Sequence, residues 1–316
     1  MGGGVTIITV GMVTFALALA LGRPLIGWLA RLKYRQRAYE DAPQTHQVKT
    51  GTPTMGGLLF LLAPLIALAF VRDTATVALA VLIVGAAAIG FIDDYSAIRR
   101  GRNRGLRART KFLLTGLIGV VFLAMLQHAS TFSTEMLGIG SVPMWLWYGL
   151  SLAAIVATTH AVNLTDGLDG LAGGTALPVL ALLIFIALRG GATSVAVTSV
   201  AIAAAVAAFL VYNRYPARVF MGDTGSLALG AALAGAAILT GAQLLLPLVG
   251  GVFAAEALSV ILQVASYKTT KRRIFRMSPL HHHFELAGWP ETTVTARFWL
   301  ASLALSLLGF ALVVRG

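Results

Sequence analysis

The chain has 316 residues, 58% of them hydrophobic and only 11% charged, with 24 Lys and Arg against 12 Asp and Glu for a formal net charge of +12. An average soluble domain carries about 25% charged residues, so a water-soluble globular protein is excluded and lipid is the solvent. The absence of cysteine excludes disulfides and thiolate metal centres, and the bases lack the interleaved aromatic platform of a nucleic-acid binder.

Crossing roughly 30 Å of hydrocarbon as a helix takes about 20 apolar residues. In chain order, such runs are predicted at 5–30, 55–72, 74–92, 111–127, 143–162, 171–189, 194–213, 225–242, 244–267 and 295–314. Their continuous apolar character predicts helices, since backbone groups in lipid must be satisfied internally and barrel strands would alternate. Gly and Ala within the runs suit close helix packing. The predicted fold class is all-α: a single polytopic domain over 1–316 with about ten transmembrane helices and no appended soluble domain. Residues 1–30 read as a first span, because a cleavable signal would open with a charged segment and have a shorter apolar run.

The loop bases set the orientation. One face collects five Lys or Arg between Arg31 and Lys49, seven between Arg99 and Lys111, Arg214 and Arg218, and six between Lys268 and Arg297. The other face holds Arg72, Arg189 and Arg315. The basic face is predicted to be cytoplasmic and both termini periplasmic. Anionic lipid and a phosphate-bearing ligand then account for the net charge without nucleic acid.

Five acids gather at the inner mouths of these spans: Asp93, Asp94, Asp166, Asp169 and Asp223. Asp93 and Asp94 close the third run in GFIDDY, where a helix C-terminus disfavours negative charge. Two adjacent acids opening so basic a loop point to a metal or phosphate site. In NLTDGLDG (163–170), Asn163, Asp166 and Asp169 recur every three residues, an arc of about 120° on a helix, and can converge on one ligand. Capping of the sixth helix is the alternative for Asp166 or Asp169. Asp223, with Thr224 and Ser226, is well placed to cap the eighth helix, yet that same helix start is an anion site. Asn213 and Phe220 flank it with a polar amide and a stacking face.

His281, His282 and His283 follow Pro279 in the last basic loop. A regular helix points successive side chains about 100° apart, so the three cannot share one site from helix, and the staggered spacing and HExxH pattern of catalytic zinc are missing. They read as hydrogen-bond and electrostatic partners for a pyrophosphate. Glu256, inside the ninth run, reads as a satisfied structural acid set apart from the inner cluster.

Clustered carboxylates, basic loops and access from the lipid describe transfer of a phosphoryl group between a soluble phosphate compound and a lipid phosphate. Mg²⁺ is the expected ion, because it takes a few carboxylates plus substrate phosphate oxygens, and positioning and charge neutralisation dominate such chemistry. A transporter is the other class that many spans suggest, but transporters place their site at mid-depth.

The strings GTPTMGG (51–57), GFIDDY (90–95), NLTDGLDGLA (163–172), FMGDTGS (220–226) and SPLHHHFELAGWPE (278–291) resemble the phospho-N-acetylmuramoyl-pentapeptide transferase family, within the polyprenyl-phosphate sugar-1-phosphate transferases. The uninterrupted histidines followed by FELAGWPE resemble the muramoyl branch rather than the branch that takes UDP-GlcNAc. The resemblance implies transfer of phospho-MurNAc-pentapeptide from UDP-MurNAc-pentapeptide to undecaprenyl phosphate in the bacterial cytoplasmic membrane, with Mg²⁺, by a homodimer. It implies that Asp93 is catalytic, either deprotonating the lipid phosphate or attacking the pyrophosphate, that Asp94 is its partner, and that Asp223 binds the metal. It places Lys49, Thr54, Asn163, Asp166, Asn213 and Phe220 around the uridine and pyrophosphate, with Asp169 reading the uracil. Lys111, His281, His282 and His283 are implied to hold phosphates. The family pattern DDxxK is broken here, because Ala97 stands where the lysine belongs. Arg99 or Arg100 is then expected to reach the same phosphate.

Overall fold

The structure is a computed structural model describing residues 3–32, 51–100, 105–128 and 133–315. Lys49 lies outside the described residues. Helix α1 (Gly3–Arg31) is followed by a 3-10 helix (Gly56–Leu61) that runs into α2 (Leu62–Phe70), then α3 (Thr74–Arg99) and α4 (Ala108–Gln127). A short antiparallel hairpin, β1 (Glu135–Met136) and β2 (Gly140–Ser141), precedes α5 (Met144–Thr165), α6 (Leu171–Arg189), α7 (Thr193–Asn213) and α8 (Gly222–Leu239). The chain ends with α9 (Leu246–Val249), α10 (Gly251–Thr270), α11 (Leu280–Leu286) and α12 (Glu291–Arg315).

Among the described residues, eight helices are long and apolar enough to cross a bilayer: α1, α3 to α8 and α12. The protein is an all-α, multi-pass membrane protein. The two remaining predicted spans take other forms. The run at 55–72 opens with Met55 in the left-handed region (φ 72°) and a 3-10 turn, leaving an apolar helical segment of only Gly56–Phe70. The run at 244–267 divides at Gly250 into α9 and α10. Beyond Glu256, α10 leaves Leu258, Ile261, Leu262 and Tyr267 exposed, as lipid-facing side chains are.

Helix α8 is the centre of the bundle, with nearly every residue from Thr224 to Ile238 buried. Small residues make this possible, because rows of Ala and Gly let neighbouring backbones approach. One apolar cluster joins α1, α2, α6 and α7 around Phe60, Phe209 and Leu183. A second joins α3, α4, α5 and α8 around Phe122, Trp147, Ile155 and Leu227. At one end of the bundle the hairpin is tied to the end of α8 by Leu137 N donating to Gly241 O (2.8 Å). A cavity of about 600 Å³ opens there, lined by Leu126, Met136, Trp147, Arg189 and Thr240. The predicted acids lie at the opposite end of the same helices, about 25 Å away at 1.5 Å per residue along α8.

Asp73 caps α3 by accepting from Thr76 N (2.8 Å). The helix does not stop at the acidic pair as the apolar run suggested; it continues through Asp93 and Asp94 to Arg99. Gly90 lets this stretch lie directly on the start of α8, since a Cβ at Gly90 would overlap the Asp223 carbonyl. Gly90→Ala is expected to destabilise the fold by about 1–3 kcal/mol through overpacking and to lower activity with it. Thermal melting in detergent checks this; an unchanged melting temperature would show that the crossing tolerates a wider gap.

Candidate active site

Helices α3, α4, α5 and α8 bring Asp93, Asp94, Asp223, Lys111 and Asn163 together. Asp93, Asp94 and Asp223 offer oxygens that all lie within 4.8 Å of one another. Lys111, in the first turn of α4, places Nζ 2.7 Å from Asp223 Oδ2 and 3.6 Å from Asp93 Oδ1. Asn163 Nδ2 donates to Asp223 Oδ1 (2.9 Å) and to Ser226 Oγ (2.8 Å). Asp93 Oδ1 also accepts from Leu106 N (2.7 Å), which ties the end of the connection leading into α4 to the site.

Asp94 has a different part. Its Oδ1 accepts from Asp223 N (3.1 Å), and its Oδ2 accepts from Thr224 N (2.9 Å) and Thr224 Oγ1 (2.6 Å). A helix start leaves its first N–H groups without intrahelical partners, and here a carboxylate from α3 satisfies two of them. The residue at the cap position of α8, Met221, contributes no side-chain bond. Asp223, Thr224 and Ser226 therefore do not cap their own helix; Asp94 does so from another. The unfavourable position of Asp94 towards the C-terminal end of its own helix is offset, because the helix end that it serves is the positive end of α8.

The segment after Thr52 lies alongside the entrance to α8. Phe220 N donates to Pro53 O (2.8 Å), Gly56 N to Phe220 O (2.9 Å) and Gly57 N to Met221 O (3.0 Å). Thr54 is buried by this pairing, while Phe220 keeps part of its surface. Gly222 has φ +72°, and a Cβ there would sit 2.7 Å from Asp94 Oδ2 and 2.9 Å from Thr54 Oγ1. Only glycine fits that turn.

The acidic loop does not keep the helical arc predicted for it. Helix α5 ends at Thr165, so Asn163 is presented from helix while Asp166 and Asp169 follow from a turn. Asp166 accepts a backbone bond from Gly222 and stands among the carboxylates. Although the residue reaches the surface in part, its carboxyl is enclosed, and burial with the charges of Asp223, Asp94 and Asp169 pushes its pKa well above the usual 3.8. Asp169 turns into the scaffold: its Oδ2 accepts from Ala217 N (2.9 Å), and its own N donates to Glu291 Oε1 (2.8 Å). Asn213 is likewise an internal brace, accepting from Gly170 N (3.0 Å) and donating to Val219 O (2.9 Å).

The histidines sit on α11 with separate partners, although the His281 and His282 rings touch (centroids 4.2 Å). His281 is buried with Nδ1 3.2 Å from Glu256 Oε1, and His282 places Nδ1 2.8 Å from Glu285 Oε2. His283 Nδ1 accepts from Arg276 N (3.1 Å), which leaves its neutral ring with the proton on Nε2. Among the described residues, the group able to hold a metal contains the three aspartates and no histidine. Arg99 and Arg100 end α3 in exposed positions, and among the described residues the cation paired with these acids is Lys111.

Three features escaped sequence reasoning. Glu256 is not apart from the site, because the chain after α10 folds back and buries His281 against it. His160 stacks on Phe112 (ring centroids 3.8 Å, 9° between planes), one helical turn before Asn163 on the same face. Trp289 stacks on Phe284 (4.6 Å) under the Arg297 guanidinium (4.0 Å), and this cluster holds α11 to the acidic loop through Leu168 and Leu171. Only the intramembrane acid carried a signal in the sequence.

Lys111→Met is expected to cut turnover about 100-fold, the loss typical of removing one electrostatic stabiliser from a site, with the melting temperature little changed; turnover within threefold of the parent would dismiss its role. Asp166 gives a pH test. Its folded pKa is raised, so it adds stability below about pH 3.8 and that stability is lost as pH rises through the folded value. Asp166→Asn should melt above the parent near pH 8, with the gap closing towards about pH 4. Identical melting at pH 8 would contradict the crowded-carboxylate account.

Residues 76–241 match the family model described as glycosyl transferase family 4, and residues 49–61 match phospho-N-acetylmuramoyl-pentapeptide-transferase signature 1. The chain is 48% identical over 309 residues to the phospho-N-acetylmuramoyl-pentapeptide-transferase of Heliobacterium modesticaldum, covering 96% of each chain. It is 46% identical to that of Geobacillus kaustophilus, again over 96% of each, and 44% identical to that of Bacillus subtilis over 95% of each. With at least 95% of each chain covered and the described part of the signature segment, residues 51–61, lying against the start of α8 beside the carboxylates, the chain belongs to the phospho-N-acetylmuramoyl-pentapeptide-transferase family.

Proposed function

We propose that this protein transfers phospho-MurNAc-pentapeptide from UDP-MurNAc-pentapeptide to undecaprenyl phosphate, yielding lipid I and UMP for peptidoglycan synthesis. The observation that carries this reading is the convergence of Asp93, Asp94 and Asp223 with Lys111 at one end of a lipid-embedded bundle. The basic loops put that end at the cytoplasmic face, where the soluble nucleotide arrives, while the acceptor reaches it along the lipid-facing helices. The reading carries a single transferase domain, a homodimer and periplasmic termini with it.

The donor set fits Mg²⁺. Three carboxylates and one lysine carry a formal charge of −2, and hard oxygen donors with room for phosphate oxygens are what this ion prefers. When bound, the ion would neutralise charge on the pyrophosphate, with Asp223 as its main protein ligand. Lys111 and Asn163 hold Asp223 in place. Asp94 fixes the first turn of α8, and Asp93 faces the acceptor.

The acceptor phosphate oxygen attacks the phosphorus attached to the sugar. The bond from that phosphorus to the bridging oxygen breaks, and UMP leaves with the electron pair. A phosphate monoester with a second pKa near 6 is already largely dianionic at neutral pH, so a general base contributes less than usual, and direct attack by the lipid phosphate is the route favoured over a covalent aspartyl intermediate. Asp93, held by Leu106 N and near Lys111, orients the acceptor phosphate and takes its residual proton. Lys49, Thr54, Phe220, His282 and His283 complete the nucleotide and phosphate surroundings, while His281, Asp169 and Asn213 shape the loop that borders them.

Purified protein should release UMP from UDP-MurNAc-pentapeptide only when both undecaprenyl phosphate and Mg²⁺ are present, and far more slowly from UDP-GlcNAc. Preference for UDP-GlcNAc would move the protein to the sibling activity. Asp223→Asn should abolish the Mg²⁺-dependent reaction in a folded protein, and near-normal turnover would remove Asp223 from the metal site. A phosphorylated Asp93 trapped during turnover would replace direct attack with a two-step route.

A further inference from the structure

Glu256 lies inside α10 at 0% exposure, and His281 on α11 at 1%. His281 N donates to Glu256 Oε1 (3.1 Å), and the ring Nδ1 lies 3.2 Å from the same oxygen. Glu256 Oε2 and both ring nitrogens of His281 have no hydrogen-bond partner among the described residues, so the bond from His281 N and the close approach of Nδ1 are what hold the ring against Glu256. Burying a carboxylate with one oxygen unpaired is unfavourable, and well-packed apolar residues would serve stability better. Groups left in this condition in a native fold call for an explanation beyond stability.

The far edge of the ring supplies one. A Cβ on Gly167 would overlap His281 Nε2, so the imidazole edge is seated directly against the Gly167 backbone. Gly167 follows Asp166, whose carboxyl accepts from Gly222, the residue before Asp223. A continuous line of contact therefore runs from Glu256 through His281 and Gly167 to Asp166 and the entrance of α8. The opposite end of the same loop is anchored separately, by Asp169 on Ala217 N and by Trp299 Nε1 on Gly170 O (3.1 Å). That leaves the His281 ring as the stop for the Asp166 end.

Resting on the site reading given above, we propose that Glu256 is a positioning residue for the transfer: it fixes the His281 ring from within the bundle, and the ring sets Gly167 and with it Asp166 beside the carboxylate cluster. It touches no substrate. Its effect on the soluble nucleotide substrate passes entirely through His281.

The test uses the full-length protein in detergent, with UMP release measured against UDP-MurNAc-pentapeptide and undecaprenyl phosphate in turn. Glu256→Ala and Glu256→Asp, the latter withdrawing the oxygen from His281, should each lower kcat/KM for the nucleotide at least about tenfold, while KM for the lipid stays within about twofold. Glu256→Gln, whose amide oxygen still accepts from His281 N, should retain activity within about threefold. In a His281→Ala background, Glu256→Ala should cost no further activity, because groups acting as a unit are not additive. Additive losses, equal damage to both KM values, or a folded and fully active Glu256→Asp would overturn the proposal. If Glu256→Ala does not fold, the Asp and Gln variants decide by the same criteria. An inactive parent protein refutes the site reading; an active parent with indifferent Glu256 variants refutes this inference alone.

Discussion

The structure depends most on the bond between Asp94 and the first turn of α8. One carboxylate, brought by the 26-residue α3, accepts two backbone N–H groups and a hydroxyl at the start of the most buried helix. Thr224 is fully buried, so its N–H has no water to turn to, and the cap is what satisfies the start of α8. The same bond sets the distance between Asp93 and Asp223. Folding and site assembly are thus one event at the crossing of α3 and α8, and Gly90 and Gly222 are the residues that let the backbones come close enough.

From that crossing the division of labour among the acids follows. Asp94 braces the helix start while remaining within the carboxylate group, Asp223 is held by Lys111 and Asn163, and Asp93 is bound on one oxygen by Leu106 N. Asp166 is the crowded member, with its acid form favoured by enclosure and by three neighbouring carboxylates. A site built from like charges at this density asks for a cation, which is what a pyrophosphate substrate also needs. Lys111 supplies one fixed charge from α4, where the sequence has Ala97 instead of a lysine on α3.

Much of the fold was legible because lipid imposes so strong a constraint. Apolar runs gave most helices to within a few residues, from α6 at 171–189 to α4 and α5. Failures came where polarity and helix ends part company: α3 runs past its apolar limit through Asp93 and Asp94, and the run at 244–267 breaks at Gly250. The grouping of Asp93, Asp94 and Asp223 could be suspected from their common position at the mouths of spans. Their separate partners could not, because the bonds Asp94 makes join residues about 130 positions apart in the chain. Glu256 was misplaced for a similar reason. Nothing in residues 271–280 announces that the chain turns back and buries His281.

The central claim is that Asp93, Asp94 and Asp223 form one divalent-cation centre at this crossing. Anomalous scattering from Mn²⁺ in crystals of the protein tests it most directly. The account predicts a single strong peak within coordination distance of Asp223 and between the other two carboxylates, weakened in Asp223→Asn. A peak on the histidines of α11, or one unaffected by that substitution, would contradict it.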